Sequence, residues 1–494
     1  MNWLDRIIGG VAPQWGVQRA RARLALKAYE AAKPSRTHAA RRVTGSGTVQ
    51  AGGASLSLRE QARYLDENHD LASGVLDTLV KYVIGPNGIV VEPQPKLLDG
   101  SFATDLASEL GALWQRWGLA PEVTGELDWV QAQHLAGRTL FRDGEVFSQL
   151  LSGRTPGLTH GSSVPFSLEL LEPDFVPIDY DDLTARIVQG IQRDAWGRAK
   201  AYMVYKTHPG EGRWQSARDL KTVDAERMIH AKLVKRLHQA RGISVFANVL
   251  MRLNDLKEYE ESERVAARVS AVLAAYIKKE GDYEANDNDQ GKPPRLIQMS
   301  PGMVIDDLKP GEDIGTIESN RPSVLLQPFR DAMLRAVAAG TGTTFSSLAK
   351  LYEGSYSSQR QELVEGYQGY QVVSALFVSR FVRPVYRQFA QMAITAGLVR
   401  VPPGINWDSV LDASYQAPAM IWIDPLKEAS ANRELRKAGF ESTQNIIRAR
   451  GKNPDDIKQQ IIQDEKANRA EGLVFSTSAQ APEPAPEKPN AEDD

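Results

Sequence analysis

The sequence predicts an α+β fold that is predominantly helical. Residues 248–279 and 358–396 carry apolar side chains at the three- and four-residue intervals of long amphipathic helices. Residues 129–215 instead contain short β-like runs, separated by turns rich in Gly, Pro and Asp. With 494 residues, 42% of them hydrophobic, the chain is long enough for one large domain or several smaller ones.

Composition excludes several kinds of functional site and argues against tight DNA binding. The chain contains no cysteine, so disulfides, thiol nucleophiles and thiolate metal sites are excluded. Its 59 Lys and Arg residues against 62 Asp and Glu give a net charge of -3, whereas a protein that grips DNA tightly carries a basic excess. We therefore expect any DNA that the protein meets to slide.

We expect neither a secretory signal nor a membrane segment. Asp5 and Arg6 interrupt the early apolar patch, and no stretch approaches the ~20 apolar residues of a membrane span. The sequence is typical of a chain that is made and used in the cytoplasm of a bacterium.

Residues 1–55 are predicted to form a basic N-terminal arm and linker. Basic side chains far outnumber acidic ones in the arm. We expect a mobile segment that docks on a neighbour, with direct DNA contact as the weaker alternative. Residues 43–55 are rich in Gly and Ser and are predicted to be a linker. Ser57 then begins a helix, because Glu60 completes a capping-box pattern.

Residues 56–247 are predicted to fold as an α+β lobe. After the first helix, a Gly-Pro-Asn-Gly turn precedes a short strand, and residues 102–117 form a helix with Trp114 and Trp117 buried. Four β-like runs follow, at 145–151, 166–171, 186–192 and 201–207.

Residues 248–279 are predicted to form a long charged helix. Opposite charges at i,i+4, Lys257 with Glu261 and Glu260 with Arg264, support it. Its apolar stripe is too thin to bury such a rod inside one monomer. We therefore expect this helix to pack between identical neighbours.

Residues 280–321 begin with an acidic, polar stretch. Its Asp and Asn spacing resembles a calcium-binding loop, but the glycine is misplaced and the closing glutamate is missing, so calcium binding is not expected. Two short strands are predicted around Pro301-Gly302 and Pro310-Gly311. Pro322 then begins a second helix that runs to Gly340.

Residues 341–357 connect this second helix to a third and are rich in small and hydroxyl side chains. Ser358 with Gln361 is another capping-box pattern, and Pro384 predicts a kink in the third helix. The remaining segments are an irregular stretch at 402–423, helices over 424–472 and a disordered Pro-, Ala- and Glu-rich tail at 473–494.

No enzyme signature is found in the sequence. The P-loop, H-E-x-x-H and G-x-S-x-G motifs are absent, and Gly340-Thr341-Gly342 lacks the third glycine of a dinucleotide fingerprint. His230 and His238 are spaced to approach one helix face, but a third metal ligand is missing, so we expect a structural role. We assign no catalytic, cofactor-binding or metal-binding residue. An unrecognised oligomeric hydrolase is the weaker alternative, with Asp174, Asp181 and His208 as its candidate residues.

A set of short segments, each weak alone, becomes specific through its order and spacing. The segments are Arg142–Glu145, Leu171–Asp174, Gly190–Gln192, Ala195–Arg198, Ile229–His230, Gln239–Gly242, Leu308–Glu312, Tyr356–Arg360 and Asp424–Glu428. Together they resemble the lambda-like family of phage portal proteins over roughly residues 50–470. The sequence departs from the family pattern at Gln359, where a small residue is usual, and at Lys350 and Glu353, which occupy the area of an expected aspartate.

This resemblance implies the portal-protein fold, with wing, stem, clip and crown regions in a dodecameric ring around a central channel. A stem helix that is charged on both flanks finds a neighbour on each flank of such a ring. The implied regions are a wing at 56–247, a first stem helix at 248–279, a clip at 280–321, a second stem helix at 322–340, a tunnel loop at 341–357, a long kinked helix and wing return at 358–423, and crown helices at 424–472.

The resemblance also implies a function at one capsid vertex of the virion, where the ring admits and releases double-stranded DNA. Binding to DNA would be weak and independent of sequence, because hydroxyl groups touch phosphates without holding them. We expect Tyr352 and Tyr356 to pack on an adjacent subunit, since a duplex exposes no base faces for stacking. The candidate DNA contacts in the tunnel loop are Thr343, Thr344, Ser346, Ser347, Lys350, Ser355, Ser357, Ser358 and Arg360.

The implied partners meet the ring at different regions. The clip would bind the terminase large subunit, which hydrolyses ATP and pushes DNA, and later the head-completion or adaptor protein. Major capsid and scaffold proteins would surround the ring. The alternative within the virion is a head-closure or minor capsid protein. The candidate clip contacts are Arg295, Asp306, Asp307, Lys309 and Glu312.

Overall fold

The protein is described by a computed structural model with mixed helices and sheets, and the predominantly helical α+β class is confirmed. The structure describes residues 44–211, 219–271, 275–279, 312–316, 326–419, 425–450 and 452–472. In these ranges, no helix combines the length and the apolar character that crossing a membrane requires.

The helices are numbered in chain order. They are α1 Gly47–Asn68, α2 Asp70–Val83, α3 Thr104–Trp117, α4 Trp129–Asp143, α5 Leu250–Ala271, α6 Leu326–Thr341, α7 Phe345–Ala349, α8 Tyr356–Phe377, α9 Arg383–Thr395, α10 Pro425–Lys437, α11 Thr443–Ala449 and α12 Pro454–Ala470.

The strands form small antiparallel sheets. They are β1 Val90–Pro93, β2 Glu145–Ser152, β3 Phe166–Leu171, β4 Ile187–Val188, β5 Ile191–Arg193, β6 Ala199–Tyr205, β7 Leu220–Asp224, β8 Met228–Lys232, β9 Ala275–Lys279, β10 Glu312–Thr316 and β11 Ala413–Gln416. The described sheets have the strand orders β3-β2-β8, β4-β5-β6-β7, β1-β11 and β10-β9. The four predicted β-like runs of the lobe therefore supply β2 to β6.

Helix α1 begins earlier than the sequence predicts. It starts at Gly47, so the linker conformation expected for 43–55 is wrong from Gly47 onward, and Ser57 lies inside the helix. Ala51, Ser55 and Arg59 are buried at four-residue spacing. Burial of this face stabilises the helix despite the low helix propensity of the intervening glycines.

An aromatic cluster joins the lobe to the long C-terminal helices. Trp114 and Trp117 of α3 are buried as predicted, and their ring centroids lie 4.8 Å apart. The Trp114 ring also contacts Phe389 of α9 at 4.9 Å, and Trp117 Nε1 donates to the Phe166 carbonyl at 2.9 Å. Burying aromatic rings of this size contributes a large part of the core energy.

Helix α5 is shorter than predicted. It ends at Ala271, and residues 275–279 form β9, which pairs antiparallel with β10, so the helical prediction for 275–279 is wrong. Leu256 is fully buried near the start of α5, whereas Val265 is 49% exposed further along. This difference means that much of the helix does not pack on the core of its own chain.

Helices α5 and α6 lie against each other. The ring centroids of Tyr259 and Phe329 are 4.7 Å apart, and Arg330 Nε donates to Glu260 at 2.7 Å. The first residues of the predicted helix 322–340, up to 325, lie outside the described residues. The same is true of the clip candidates Arg295, Asp306, Asp307 and Lys309, and Glu312 begins β10.

The kink predicted at Pro384 takes the form of a π-helical turn. Residues Val378–Val382 connect α8 to α9, and the backbone N–H of Arg383 donates to the Val378 carbonyl. Proline has no N–H to donate and its ring clashes with the preceding turn. The wider π turn makes room for the ring, so one helical rod continues through the proline.

The last three helices are mostly exposed, but α11 is joined to the lobe by an ion pair. Arg448 donates to both carboxylate oxygens of Glu92, each at 3.1 Å, and Glu92 is 6% exposed on β1. Gln94 and Gln416 also donate to this carboxylate. Glu92 therefore joins α11 to the β1–β11 sheet.

Candidate tunnel loop and polar core of the lobe

The predicted tunnel loop, residues 341–357, is divided by a short helix. Helix α6 ends at Thr341, and α7 then occupies residues 345–349. Helix α8 begins at Tyr356, where the Ser355 hydroxyl accepts from the Ser358 N–H. The predicted helix start at Ser358 is therefore wrong, and Ser355 is the capping residue.

The first half of the tunnel loop is folded inward. Thr343 is 8% exposed, and its hydroxyl lies 3.0 Å from that of Thr341. The Thr344 hydroxyl donates to Ser347 at 2.7 Å, and the Ser346 hydroxyl donates to Glu362 of α8 at 2.5 Å. The hydroxyl groups of these four candidate DNA contacts therefore form hydrogen bonds within the protein.

The second half faces solvent. Lys350, Ser355, Ser357 and Ser358 are exposed, and the candidate Arg360 is half-buried. Residues 350–358 are called the exposed segment below. Its charge and hydroxyl groups are the part of the predicted site that solvent or a ligand can reach.

The exposed segment also carries two aromatic rings. Tyr352 is 61% exposed and Tyr356 is 49% exposed. The ammonium of Lys427, on α10, lies 5.9 Å from the centroid of the Tyr356 ring. A contact of this kind contributes about 0.5–1 kcal/mol at an exposed site, so it links α10 only weakly to the start of α8.

Several of the short sequence segments meet around one buried carboxylate. Glu145 accepts from Arg241 at 2.7 Å, from the Gly242 N–H at 2.8 Å, and lies 2.9 Å from His230 Nε2. Burial alone would raise the pKa of Glu145, but the charge of Arg241 and the hydrogen bonds from His230 and Gly242 hold it at about 2. The carboxylate is therefore ionised, and it joins β2, β8 and the segment before α5.

His230 lies on β8, so the expectation that it shares a helix face with His238 is wrong. Its ring stacks on Phe147 with centroids 4.2 Å apart. Burial lowers the pKa of His230 to about 4 despite the neighbouring Glu145. The imidazole is thus neutral near pH 7 and serves as a packed hydrogen-bonding group.

Two glycines allow this polar core to form. Gly144 ends α4 in the left-handed region at φ 88, which glycine adopts without strain. A Cβ on Gly242 would lie 2.0 Å from the Gly144 carbonyl oxygen, so the two backbones cross in contact. This close backbone contact explains why glycine follows Asp143 in one segment and Arg241 in another.

A second ion cluster lies beside the first. Arg63 of α1 donates to Asp143 at 2.7 Å and to Asp174 at 2.5 Å. Ligand-type atoms of Glu172, Asp174 and His208 all lie within 4.8 Å of one another, which is close enough for a shared cation. A cation would first have to displace the arginine that already neutralises Asp174.

The hydrolase candidates are only partly brought together. Asp174 and His208 meet, whereas Asp181 accepts the Gln189 N–H at 2.7 Å in a turn. Burial would raise the pKa of Asp174, but the charges of Arg59 and Arg63 outweigh it and keep that pKa below its usual value. This environment favours a fixed carboxylate in an ion network over a general acid.

Sequence reasoning missed Arg63 and Glu362, which organise the two polar regions. Arg63 is one of several charged positions on α1, and Glu362 is one of several on α8. Nothing in their local pattern distinguishes them, because their partners are distant in the chain or lie across a turn. The signal for the polar core was present instead in the short segments around Asp143 and Arg241.

Residues 33–373 match the sequence model of the family described as phage portal protein, lambda family. The chain belongs to this family. A probable portal protein of Halomonas phage phiHAP-1 is 25% identical over 454 residues, covering 89% of this chain and 86% of that protein. Portal protein B of Escherichia phage lambda is 24% identical over 268 residues, covering 48% of this chain and 49% of that protein.

Solved structures also resemble this portal protein, at low sequence identity. A chain in the neck of a native gene transfer agent particle, computed with C12 symmetry, is 12% identical with a TM-score of 0.46, covering 83% of this chain and 97% of that chain. The function predicted from the ordered segments, that of a phage portal protein, is confirmed by the family match.

Proposed function

We propose that copies of this chain form a dodecameric ring at one capsid vertex, with a channel through which double-stranded DNA is packaged and ejected. The observation that carries the proposal is the family match over residues 33–373. The exposed stretch of α5 supports it, because a closed ring supplies each copy with a neighbour on both sides.

In this ring the exposed segment of the tunnel loop is the part that meets DNA. Lys350 supplies a cation, and Ser355, Ser357 and Ser358 supply hydroxyl groups. A net charge of -3 per chain keeps the conduit from gripping phosphates. Thr343, Thr344, Ser346 and Ser347 serve instead to shape the loop.

The portal protein itself performs no catalysis in this proposal. The terminase large subunit docks at the clip, hydrolyses ATP and drives the DNA. A head-completion or adaptor protein later takes its place there, and capsid and scaffold proteins surround the ring. Arg295, Asp306, Asp307, Lys309 and Glu312 are the proposed contacts of the clip.

The stoichiometry of the purified full chain tests the ring. Native mass spectrometry is expected to give a closed assembly of about twelve copies, and negative-stain images a central hole. A compact monomer at high concentration would contradict the proposal, and so would hexamers. The hydrolase alternative predicts turnover of broad hydrolase substrates, which we expect to be absent.

A further inference from the structure

We propose that Glu362 and Gly366 of α8 are positioning residues of the tunnel loop, which hold α7 and thereby fix where the exposed segment emerges. The consequence of this positioning for DNA rests on the proposed function.

Helix α7 is bounded by two residues in the left-handed region. Gly342 before it has φ 74, and Lys350 after it has φ 54. A lysine in this conformation is strained relative to an extended or helical backbone, so it persists only where surrounding contacts hold it. Residues 343–349 therefore lie between two backbone positions in the left-handed region.

Glu362 holds the N-terminal end of α7. One of its carboxylate oxygens accepts the backbone N–H of Ser346 at 3.0 Å, and the other accepts the Ser346 hydroxyl at 2.5 Å. The N–H groups of a first helical turn have no partner within the helix. A carboxylate from α8 supplies one, so the two helices are joined by a charge-assisted contact.

Gly366 lies one helical turn after Glu362 and allows α7 to approach. A Cβ at this position would lie 2.4 Å from the Thr344 Cγ2 methyl group, which is far inside contact distance. At Gly369, on the same helix, a Cβ would meet nothing within 4 Å. The close approach is therefore specific to Gly366 and is not a general property of α8.

The two ends of the stretch between α7 and α8 are held by different contacts. Leu348, 6% exposed, packs in the core and holds α7. The position of Lys350, which follows α7 directly, is therefore fixed. At the other end, Ser355 caps α8 directly. If α7 were released, Lys350 and the residues up to Ser355 would no longer be held at a defined distance from the channel axis.

Hydrogen exchange of the full chain tests the contact with α7. Gly366→Ala is expected to push α7 away from α8 and so break the hydrogen bonds between Ser346 and Glu362. Exchange of the amides of residues 346–349 should then speed up by about tenfold, which corresponds to the loss of one strong hydrogen bond. Glu362→Ala is expected to act alike, and Glu362→Gln, which keeps one acceptor, is expected to fall between. Gly369→Ala is the matched control and should leave exchange unchanged. Equal exchange in the Gly366→Ala and Gly369→Ala variants would overturn the proposal.

Loop position is measured separately, so that a variant that merely loosens α7 is not mistaken for support. Because the chain has no cysteine, Glu353→Cys gives a single labelling site in the exposed segment. Spin-label distances between subunits of the assembled ring should broaden on adding Glu362→Gln or Gly366→Ala, and stay narrow with Gly369→Ala. Unchanged distances in the first two variants would show that α8 does not position the loop.

A DNA measurement separates failure of this inference from failure of the proposed function. Lys350→Ala in otherwise unaltered rings should reduce the salt dependence of duplex binding. If it does not, the proposed DNA contact is wrong, while the exchange and distance results still decide the role of Glu362 and Gly366.

Discussion

At the residue scale, the lobe depends on charges that are removed from water. Arg241 is fully buried and donates to Glu145 and to the carbonyls of Val176 and Gln189. Replacing it with Leu would leave the Glu145 carboxylate buried without its cation. We expect Arg241→Leu to lower the free energy of unfolding by about 3–5 kcal/mol, measured by urea titration.

The control for this substitution is Arg252→Leu, since Arg252 is exposed on α5. A surface change of this kind is expected to alter stability by no more than about 0.5 kcal/mol. Similar losses in the two variants would mean that the buried ion pair contributes nothing specific.

The same residues predict how stability changes with pH. His230 has a folded pKa of about 4, below the ~6.5 of an unfolded chain, so the unfolded state binds more protons between these values. The free energy of unfolding therefore falls as pH drops from about 6.5 to about 4. Glu145, with a folded pKa of about 2, extends the loss below about pH 4.3.

His230→Gln should remove the fall in the free energy of unfolding that occurs between about pH 6.5 and about pH 4. Glutamine can still donate to Glu145 but does not titrate, so the urea midpoint should change less between pH 6.5 and pH 4 than in the unaltered chain. A curve with the unaltered slope would assign the loss to other groups.

At the element scale, the sequence predicts those helices and strands whose apolar period is local. The helix over 102–117 matches closely because it buries one face at helical spacing. The strands β2 and β3 match because each is a short β-like run in which several consecutive residues are buried. The start of α1 was missed because its buried face consists of small residues, which resemble a linker. Strand β9 was missed because its partner β10 is distant in the chain.

The candidate site was predictable in part for the same reason. Composition identified 341–357 as a hydroxyl-rich connection, and the family resemblance implied that it is the tunnel loop. The exposed Lys350 and Ser355 belong to this connection. Composition does not reveal which hydroxyls turn inward. Thr343 and Ser346 are engaged by Thr341 and Glu362, and such contacts depend on how α6, α7 and α8 pack.

The contact that joins α11 to β1 can be tested with a single substitution. Arg448→Ala would remove the bidentate donor of Glu92 and leave that buried carboxylate with its glutamine partners. We expect residues 443–470 to exchange amide hydrogen faster and to be cleaved sooner by protease, while the aromatic cluster stays protected. Arg433→Ala, at an exposed position on α10, should change neither measurement.

At the scale of the whole molecule, burial within one chain is unevenly distributed. The lobe and α9 share one core, whereas the later part of α5 and the helices α10 to α12 keep large apolar side chains exposed. Val265, Leu426 and Phe440 are 49%, 77% and 80% exposed. Apolar side chains left exposed by one copy are those that assembly would bury.

The face of α5 that carries Val265 is expected to be covered by a neighbouring copy in the ring. Val265→Glu adds a charge to the exposed face of α5, where the folded chain has water available, so the unfolding midpoint of a dissociated monomer should change little. In a ring the same charge would lose its water, which costs several kcal/mol per unpaired ion. Native mass spectrometry should therefore show the assembly shifting from rings toward monomers at equal protein concentration. Rings of unaltered size and stability would place this face of α5 outside the contact between copies.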